Sequence, residues 1–339
     1  MTDVKRTLPT GSLRRIRRRA LLQGAGALLA APGMALAQAD DYPSRTITIV
    51  VPFPPGGQAD TLTRLVAQDM TTTLGRTVIV DNKGGGGGAV GTSFVSNARP
   101  DGYTLAYSSS GTMVVLPATT SNLGYDAEKL RPIGQMFEIP LMVVSRKDLG
   151  VNNLAELAAL GKRQGARGVS IGNTGVGGLA HLVAEYFRTA IGIDMLHVPY
   201  RGDGPMVTGL LGGELDLGVV SVLAGTPHVR AGNLKAIAVL GLERSASLPD
   251  VPTVAESGYR GFAAGTFGGL HAPAGTPMPV VEKVSAAMIA ALRKPEIRDK
   301  ITSQAVIPVG SKPDEYVQRI AAERQLWGGV IKQLNLKLD

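Results

Sequence analysis

Four histidines, a serine triplet and a run of five glycines are the residues in this 339-residue chain whose types and spacing could support chemistry. None of His181, His197, His228 and His271 has a histidine partner at i+3 or i+4, which argues against a zinc site. There is no cysteine, so disulfides, thiol nucleophiles and thiolate metal sites are excluded. Ser108-Ser109-Ser110-Gly111 ends an extended run, but the G-x-S-x-G frame of a nucleophile elbow is missing. Gly84–Gly88 with Gly91 satisfies G-x-G-x-x-G, as five consecutive glycines satisfy almost any glycine template. No acidic residue stands about 20 positions further on to hold a ribose, and no Gly-Lys-Ser/Thr closes a P-loop. The run reads as a flexible turn from strand to helix. His197 lies inside a strand and reads as core or structural. His181 falls in the first turn of a helix after a glycine-rich turn, where a ligand contact and a local helix-start role are both open.

Three glycine-rich turns are more informative. They are Pro54-Pro55-Gly56-Gly57-Gln58-Ala59-Asp60, Gly172-Asn173-Thr174-Gly175-Val176-Gly177-Gly178 and Tyr200-Arg201-Gly202-Asp203-Gly204-Pro205. In the third, Pro205 is expected at a first helical position. Each turn presents backbone N–H groups at the positive end of a helix dipole, where a carboxylate or phosphate fits. One such turn alone only lets the chain reverse. Several on one sheet edge favour anion recognition.

These turns need strands and helices to hold them, and the pattern supplies both. Thr46–Phe53 is a β-branched run closed by Pro54-Pro55-Gly56-Gly57. Leu62, Leu65, Val66, Met70 and Leu74 then recur at helical spacing. Further strands are expected at Val78–Val80, Tyr103–Tyr107, Val169–Ile171, Met195–Pro199, Leu217–Val222 and Leu234–Val239. Leu179, Leu182, Val183, Tyr186, Phe187 and Ala190 form one helical stripe, and Leu154–Leu160 another helix. Two long C-terminal helices are expected around Val280–Leu292 and Tyr316–Leu334, the latter with Tyr316, Ile320, Trp327 and Leu334 on its apolar side. Such alternation predicts an α/β fold with mainly parallel sheets and ligands at the strand C-terminal ends.

The first 37 residues have a different character. Lys5, Arg6, Arg14, Arg15, Arg17, Arg18 and Arg19 precede an apolar run from Ala20 to Ala31 and a small-x-small site at Ala35-Leu36-Ala37. This is the order of a secretory signal, cleaved near Ala37-Gln38, with an apolar run too short to span a membrane. Arg18-Arg19-Ala20-Leu21-Leu22 matches a twin-arginine pattern, with Arg14-Arg15 as a second register and an Arg-rich Sec signal as the alternative. Seven of the 35 basic residues and one of the 27 acidic ones lie in this segment. The remainder holds 28 against 26, near +2, so the basic character belongs to the targeting peptide and no basic patch argues for nucleic acid. The mature chain of about 300 residues suffices for two domains without disulfides, and no later segment is apolar enough to span a bilayer.

In order and spacing the motifs resemble the substrate-binding proteins of tripartite tricarboxylate transporters, the Bug proteins. The resemblance runs from Tyr42-Pro43-Ser44-Arg45 and Val51-Pro52-Phe53-Pro54-Pro55-Gly56-Gly57 with Asp60 through Val80-Asp81-Asn82 and Pro100-Asp101-Gly102-Tyr103-Thr104-Leu105. It continues with His181-Leu182, Val198-Pro199-Tyr200, Leu211-Gly212-Gly213 and Asp216. Leu248-Pro249-Asp250-Val251-Pro252-Thr253, Glu256-Ser257-Gly258-Tyr259 and Ala272-Pro273-Ala274-Gly275-Thr276-Pro277 complete it.

The resemblance implies a two-lobed, type II-like periplasmic binding protein, a Venus flytrap with two crossover segments. Residues 38–137 plus 239–339 would form lobe 1 and 138–238 lobe 2, crossing at Glu138–Ser145 and Lys235–Leu240. It also implies carboxylate binding between the loops Phe53–Asp60 and Ile171–His181, with ordered water at the ligand. The expected ligand-binding set is Phe53, Pro55, Gly56, Gly57, Gln58, Asp60, Ser108, Ser109, Asn173, Thr174, Gly175, His181, Tyr200 and Asp203. Gln58-Ala59, Gly178, Asp203 and Phe267 depart from the family's usual residues, so backbone contacts from Gly57, Thr174 and Gly175 carry over better than side-chain ones. Asp60, acidic beside a carboxylate site, reads mainly as a helix-start residue that holds its loop. The expected protein is a periplasmic monomer without cofactor or metal, whose partners are a small organic carboxylate and tripartite-type membrane subunits. The alternatives are a secreted α/β enzyme acting on a carboxylate, for which no base, nucleophile or metal set is visible, and a protein presenting its ligand to a sensor kinase.

Overall fold

A computed structural model describes residues 42–165, 168–174 and 178–334. The expected export signal at 1–37 lies outside the described residues, as does Gly175. Among the described residues no helix is long and apolar enough to cross a membrane.

The β-branched run after Arg45 forms β1 (Ile47–Val51), and α1 (Gln58–Leu74) buries Leu62, Val66 and Met70 at helical spacing. β2 (Val78–Asn82) leads into the glycine run, which makes one tight turn at Gly86–Gly88 before α2 (Ala89–Ser96), as expected of a strand-to-helix connection. β3 (Thr104–Ser109) follows, then a π turn at Gly111–Val115, α3 (Leu116–Thr119) and the 16-residue β4 (Arg131–Arg146). Next come α4 (Leu154–Gln164), β5 (Val169–Asn173), α5 (Leu179–Ile191), β6 (Met195–Pro199), α6 (Asp203–Leu211), β7 (Leu217–Ser221), α7 (Val222–Arg230) and β8 (Leu234–Val239). The last part holds β9 (Gly265–Ala272), α8 (Met278–Arg293), α9 (Pro295–Thr302), β10 (Ile307–Pro308) and α10 (Pro313–Leu334).

One strand serves two sheets. The first half of β4, Arg131 to Pro140, pairs antiparallel with β9, whose other edge pairs with β3 in the order β2-β1-β3-β9-β4. From Leu141 onward β4 pairs instead with β7 on one side and β8 on the other, and β7 leads to β5 and β6. The sheets are therefore mixed, not mainly parallel. β1, β2 and β3 are parallel, as are β5, β6 and β7, but β9 runs against β3 and β4 runs against β7, β8 and β9. Register shifts in the β4–β9 ladder fall between Pro132 and Gly134 and between Gln135 and Phe137. The first is where a proline and a glycine are tolerated in a strand. The chain returns beside the switch, with the Leu240 N–H donating to Leu141 O at 2.9 Å and the Ala264 N–H to Leu240 O at 2.6 Å.

Two glycines in β9 admit aromatic rings at close range. A Cβ at Gly268 would lie 2.6 Å from the Tyr107 hydroxyl, and one at Gly269 2.4 Å from the Tyr316 ring. Tyr316, Ile320 and Trp327 of α10 are buried, as the helical stripe predicts. Trp327 meets Tyr186 of α5 edge to face at 6.0 Å, and Tyr186 stacks on Phe262 at 4.4 Å. α10 thereby joins the last part of the chain to a helix of the second sheet.

Beside this seam the carboxylates of Glu138 and Glu323 share Arg319, at 2.8 and 2.7 Å. They line a pocket of about 530 Å3 together with Pro140, Leu242 and Trp327. Burial pushes the Glu323 carboxyl up to about 7, against the opposing pull of Arg319 and the Ser110 hydroxyl. A proton held more tightly in the folded chain stabilises it below the ordinary glutamate value of 4.5, and that stability is lost as pH rises through about 7. Unfolding of Glu323→Gln and the parent by denaturant from pH 4 to 8 should show the variant gaining on the parent as pH rises, by up to about 3 kcal/mol. A constant difference across that range would contradict it.

Candidate functional site

β1 and β5 each sit between two parallel neighbours, and each delivers the chain to a helix that starts at a glycine. Gly57 precedes α1 with φ −74° and ψ 169°, and Gly178 precedes α5 with φ −74° and ψ 171°. Neither helix start has a side-chain cap. The first-turn N–H groups of a helix have no partner within it, so an uncapped start keeps them for solvent or a ligand. Gln58 adds a buried Nε2 with no hydrogen-bond partner among the described residues.

The first loop is braced from below. Asp60 accepts the Gly56 N–H at 2.9 Å and pairs with Arg64 at 2.9 Å. Arg64 donates to Asn82 Oδ1 at 2.8 Å, and Asn82 Nδ2 donates to Phe53 O at 3.1 Å. Burial works to raise the Asp60 carboxyl, but the Gly56 N–H, Arg64 and Asn82 together hold it below the ordinary value. Asp60 thus holds its loop, and Gly56 takes the left-handed turn at φ +80°. Phe53 is half-buried, edge-on to Tyr107 at 6.2 Å, while Pro55 and Gly57 are exposed.

The second loop begins at Asn173, which is buried at the end of β5, and Thr174, which is half-buried. The Tyr200 N–H donates to Asn173 O at 2.8 Å. In the third loop Asp203 is the first residue of α6, so Pro205 stands at the third helical position and not the first. The Asp203 carboxylate accepts both the N–H and the hydroxyl of Ser221, at 3.1 and 2.6 Å, and Ser221 in turn caps α7. Tyr200 reaches Glu214 with its hydroxyl at 3.5 Å and lies against Gly209.

Ser108 and Ser109 have internal partners. The Ser108 hydroxyl bonds His271 Nδ1 at 2.6 Å and the Tyr316 hydroxyl at 3.0 Å. The Ser109 N–H donates to Thr112 Oγ1 at 3.0 Å, and the Ser109 hydroxyl accepts the Thr112 N–H at 3.5 Å. A serine bonded to a histidine invites comparison with a nucleophile and its base. Both side chains are sealed in the core, however, and burial lowers the His271 pKa to about 3. His271 Nε2 has no hydrogen-bond partner among the described residues, so no acid orients the ring.

A grouping that sequence spacing missed lies beside the second loop. His181 and His197 approach with ring centroids 4.9 Å apart, and Glu185 contacts His197 Nε2. Burial lowers the pKa of both imidazoles, with Glu185 opposing. Histidines at i and i+3 or i+4 share one helix. Here α5 supplies one and β6 the other.

The sequence profile described as the tripartite tricarboxylate transporter family receptor matches residues 62–336. The chain belongs to that family. It is similar to the solved periplasmic binding protein BugD, at 35% identity and a TM-score of 0.76 over 87% of this chain and 99% of that one. It is also similar to MatC from Rhodopseudomonas palustris, solved with bound malate, at 32% identity and a TM-score of 0.75 over 86% and 100%. A further R. palustris protein, solved with adipate, matches at 28% identity and a TM-score of 0.79 over 88% and 99%. The fold is that of a two-lobed periplasmic binding protein.

The bracing of the first loop can be read out by stability. Asp60→Ala removes a buried carboxylate and leaves the Gly56 N–H and Arg64 without it, and should cost about 1–3 kcal/mol at pH 7. Because the Asp60 pKa is lowered by folding, its contribution is present above the ordinary value of 3.8 and lost as pH falls below it. Thermal unfolding of parent and variant should therefore converge in acid. A gap that persists at pH 2 would assign the effect to packing instead.

Proposed function

We propose that this receptor captures a small organic carboxylate between the loops Phe53–Asp60 and Ile171–His181 and delivers it to a membrane transporter. The observation that carries the reading is the matched pair of uncapped glycine starts, Gly57 and Gly178, after β1 and β5. Each supplies free N–H donors and a positive dipole end, an environment suited to a carboxylate and unsuited to a cation. Two such starts on two lobes suit a molecule with an acidic group at each end. Malate bound to MatC and adipate bound to the second R. palustris protein are of that kind. Residues 38–137 plus 239–339 make up the first lobe and 138–238 the second, closing about the two crossings as hinge proteins do. Residues 1–37 direct export to the periplasm and are removed near Ala37-Gln38. No catalytic step is assigned to the site.

A thermal-shift screen with mono- and dicarboxylates tests the reading. A bound acid at 100 times its Kd should stabilise the protein by about 2.7 kcal/mol. Gly57→Val is the decisive variant. Gly57 has an ordinary negative φ, and an added Cβ would meet only Pro54 O at 3.6 Å, so valine leaves the turn unstrained and obstructs only the approach to the donors. Calorimetry should find binding abolished in Gly57→Val, and reduced by about 0.5–1.5 kcal/mol in Thr174→Ala. Full affinity in Gly57→Val, with folding verified by circular dichroism, would place the ligand elsewhere.

A further inference from the structure

The grouping of His181, Glu185 and His197 has the composition of a metal centre. His181 and Glu185 are one turn apart on α5 and so share a face of that helix. His197 stands opposite Ile171 in the β5–β6 pairing, and Ile171 packs in the same buried cluster as Leu182 and Val183 of α5. Helix α5 therefore carries its two ligand-type residues over the histidine of β6. One ligand atom from each of the three side chains lies within 4.8 Å of the other two. A tetrahedral zinc with bonds of about 2.0–2.1 Å brings its ligand atoms to within roughly 3.3 Å of one another, a contraction that side-chain rotations can supply.

The surroundings hold these groups in the orientation that a metal needs. Arg188 occupies Glu185 Oε2 with both Nε and Nη2 at 3.0 Å, which fixes the carboxylate and leaves Oε1 facing His197. Asn173, buried at the end of β5, places Nδ2 at 3.5 Å from His197 Nδ1, while its Oδ1 has no hydrogen-bond partner among the described residues. Turning the Asn173 amide over places Oδ1 where it accepts a hydrogen bond from Nδ1–H of His197. The ring then adopts the tautomer whose Nε2 lone pair is free for a metal, and the orphaned oxygen gains its partner. A second residue accepting the far N–H of a ligating histidine is the usual support of such sites.

We propose that His181, Glu185 and His197 form a binding site for a zinc-like divalent cation, with Asn173 orienting His197 from behind. Two imidazoles and one carboxylate, with no thiolate, suit zinc, nickel or cobalt, and disfavour calcium and magnesium. Three protein ligands leave one tetrahedral position for water or an anion. On binding, the neutral His197 ring gives up its proton at Nε2 and takes one at Nδ1, so this ring releases no net proton. The site is independent of the carboxylate reading. It gives two residues of the expected ligand-binding set, Asn173 and His181, a different task.

The test uses the untagged mature protein after removal of metals with a chelator. Titration with Co2+ should give one equivalent of bound ion with the visible absorption of a tetrahedral N/O site, bleached by an equivalent of Zn2+. His181→Ala and His197→Ala should each lose the spectrum. Glu185→Gln should weaken binding, and Asn173→Ala should weaken it by about 10–100-fold. No tetrahedral spectrum in the parent protein would overturn the proposal, whatever the variants do. An unchanged spectrum and stoichiometry in the His181→Ala, His197→Ala double variant would also overturn it, because the ion would then sit elsewhere. Carboxylate binding measured on the metal-free parent keeps the outcome separate from that of the solute site.

Discussion

The structure depends on a change of partners along one strand. Between Pro140 and Leu141, β4 stops pairing with β9 and begins to pair with β7 and β8. Every other strand belongs to one sheet or the other, so the two sheets are joined by this strand and by the return at Leu240. Pro140 has no N–H to give to either ladder, which suits the point where one ladder ends.

The loops above the parallel strands follow one logic. Several charged and amide side chains near them are used inside the protein. Asp60 and Asn82 hold the first loop, while Asp203 ties α6 to the start of α7. The helix starts at Gly57 and Gly178 are left without caps. Natural helices usually satisfy one of these donors with a serine, threonine or aspartate, at about 1 kcal/mol. Leaving both without one gives up that stabilisation at the two places where an anion would restore it.

Much of the α/β alternation was legible in the chain because α1, α5 and α10 repeat their apolar residues at helical spacing and β1 is β-branched throughout. The glycine turns could be placed at helix starts for the same reason. In sequence β4 shows as extended only from Glu138 to Ser145, and β9 does not show at all. Pro132, Gly134 and Pro140 punctuate β4, and Gly265, Gly268 and Gly269 punctuate β9, in ways that normally mark loops. Here they mark bulges, a ladder's end and close approaches of Tyr107 and Tyr316. Losing those two strands made the sheets look mainly parallel. At the site, Asp60 as the brace of its loop was legible from a first-turn acid. The internal bonds of Ser108, Tyr200 and Asp203 were not, because their partners His271, Glu214 and Ser221 are distant in sequence. His181 and His197 are 16 residues apart on different elements, and only the packing of α5 on the sheet unites them.

Trp327 is the sole tryptophan of the chain, buried at the seam where α10 meets Tyr186 of α5. The protein thus carries one indole, held on α10, and α5, against which it packs, begins at Gly178 of the second glycine loop. Light emitted from that indole reports the packing between α10 and α5. Because the same indole also lines the pocket of Glu138, Arg319 and Glu323, its emission answers to a change in that pocket as well as to a change in the seam.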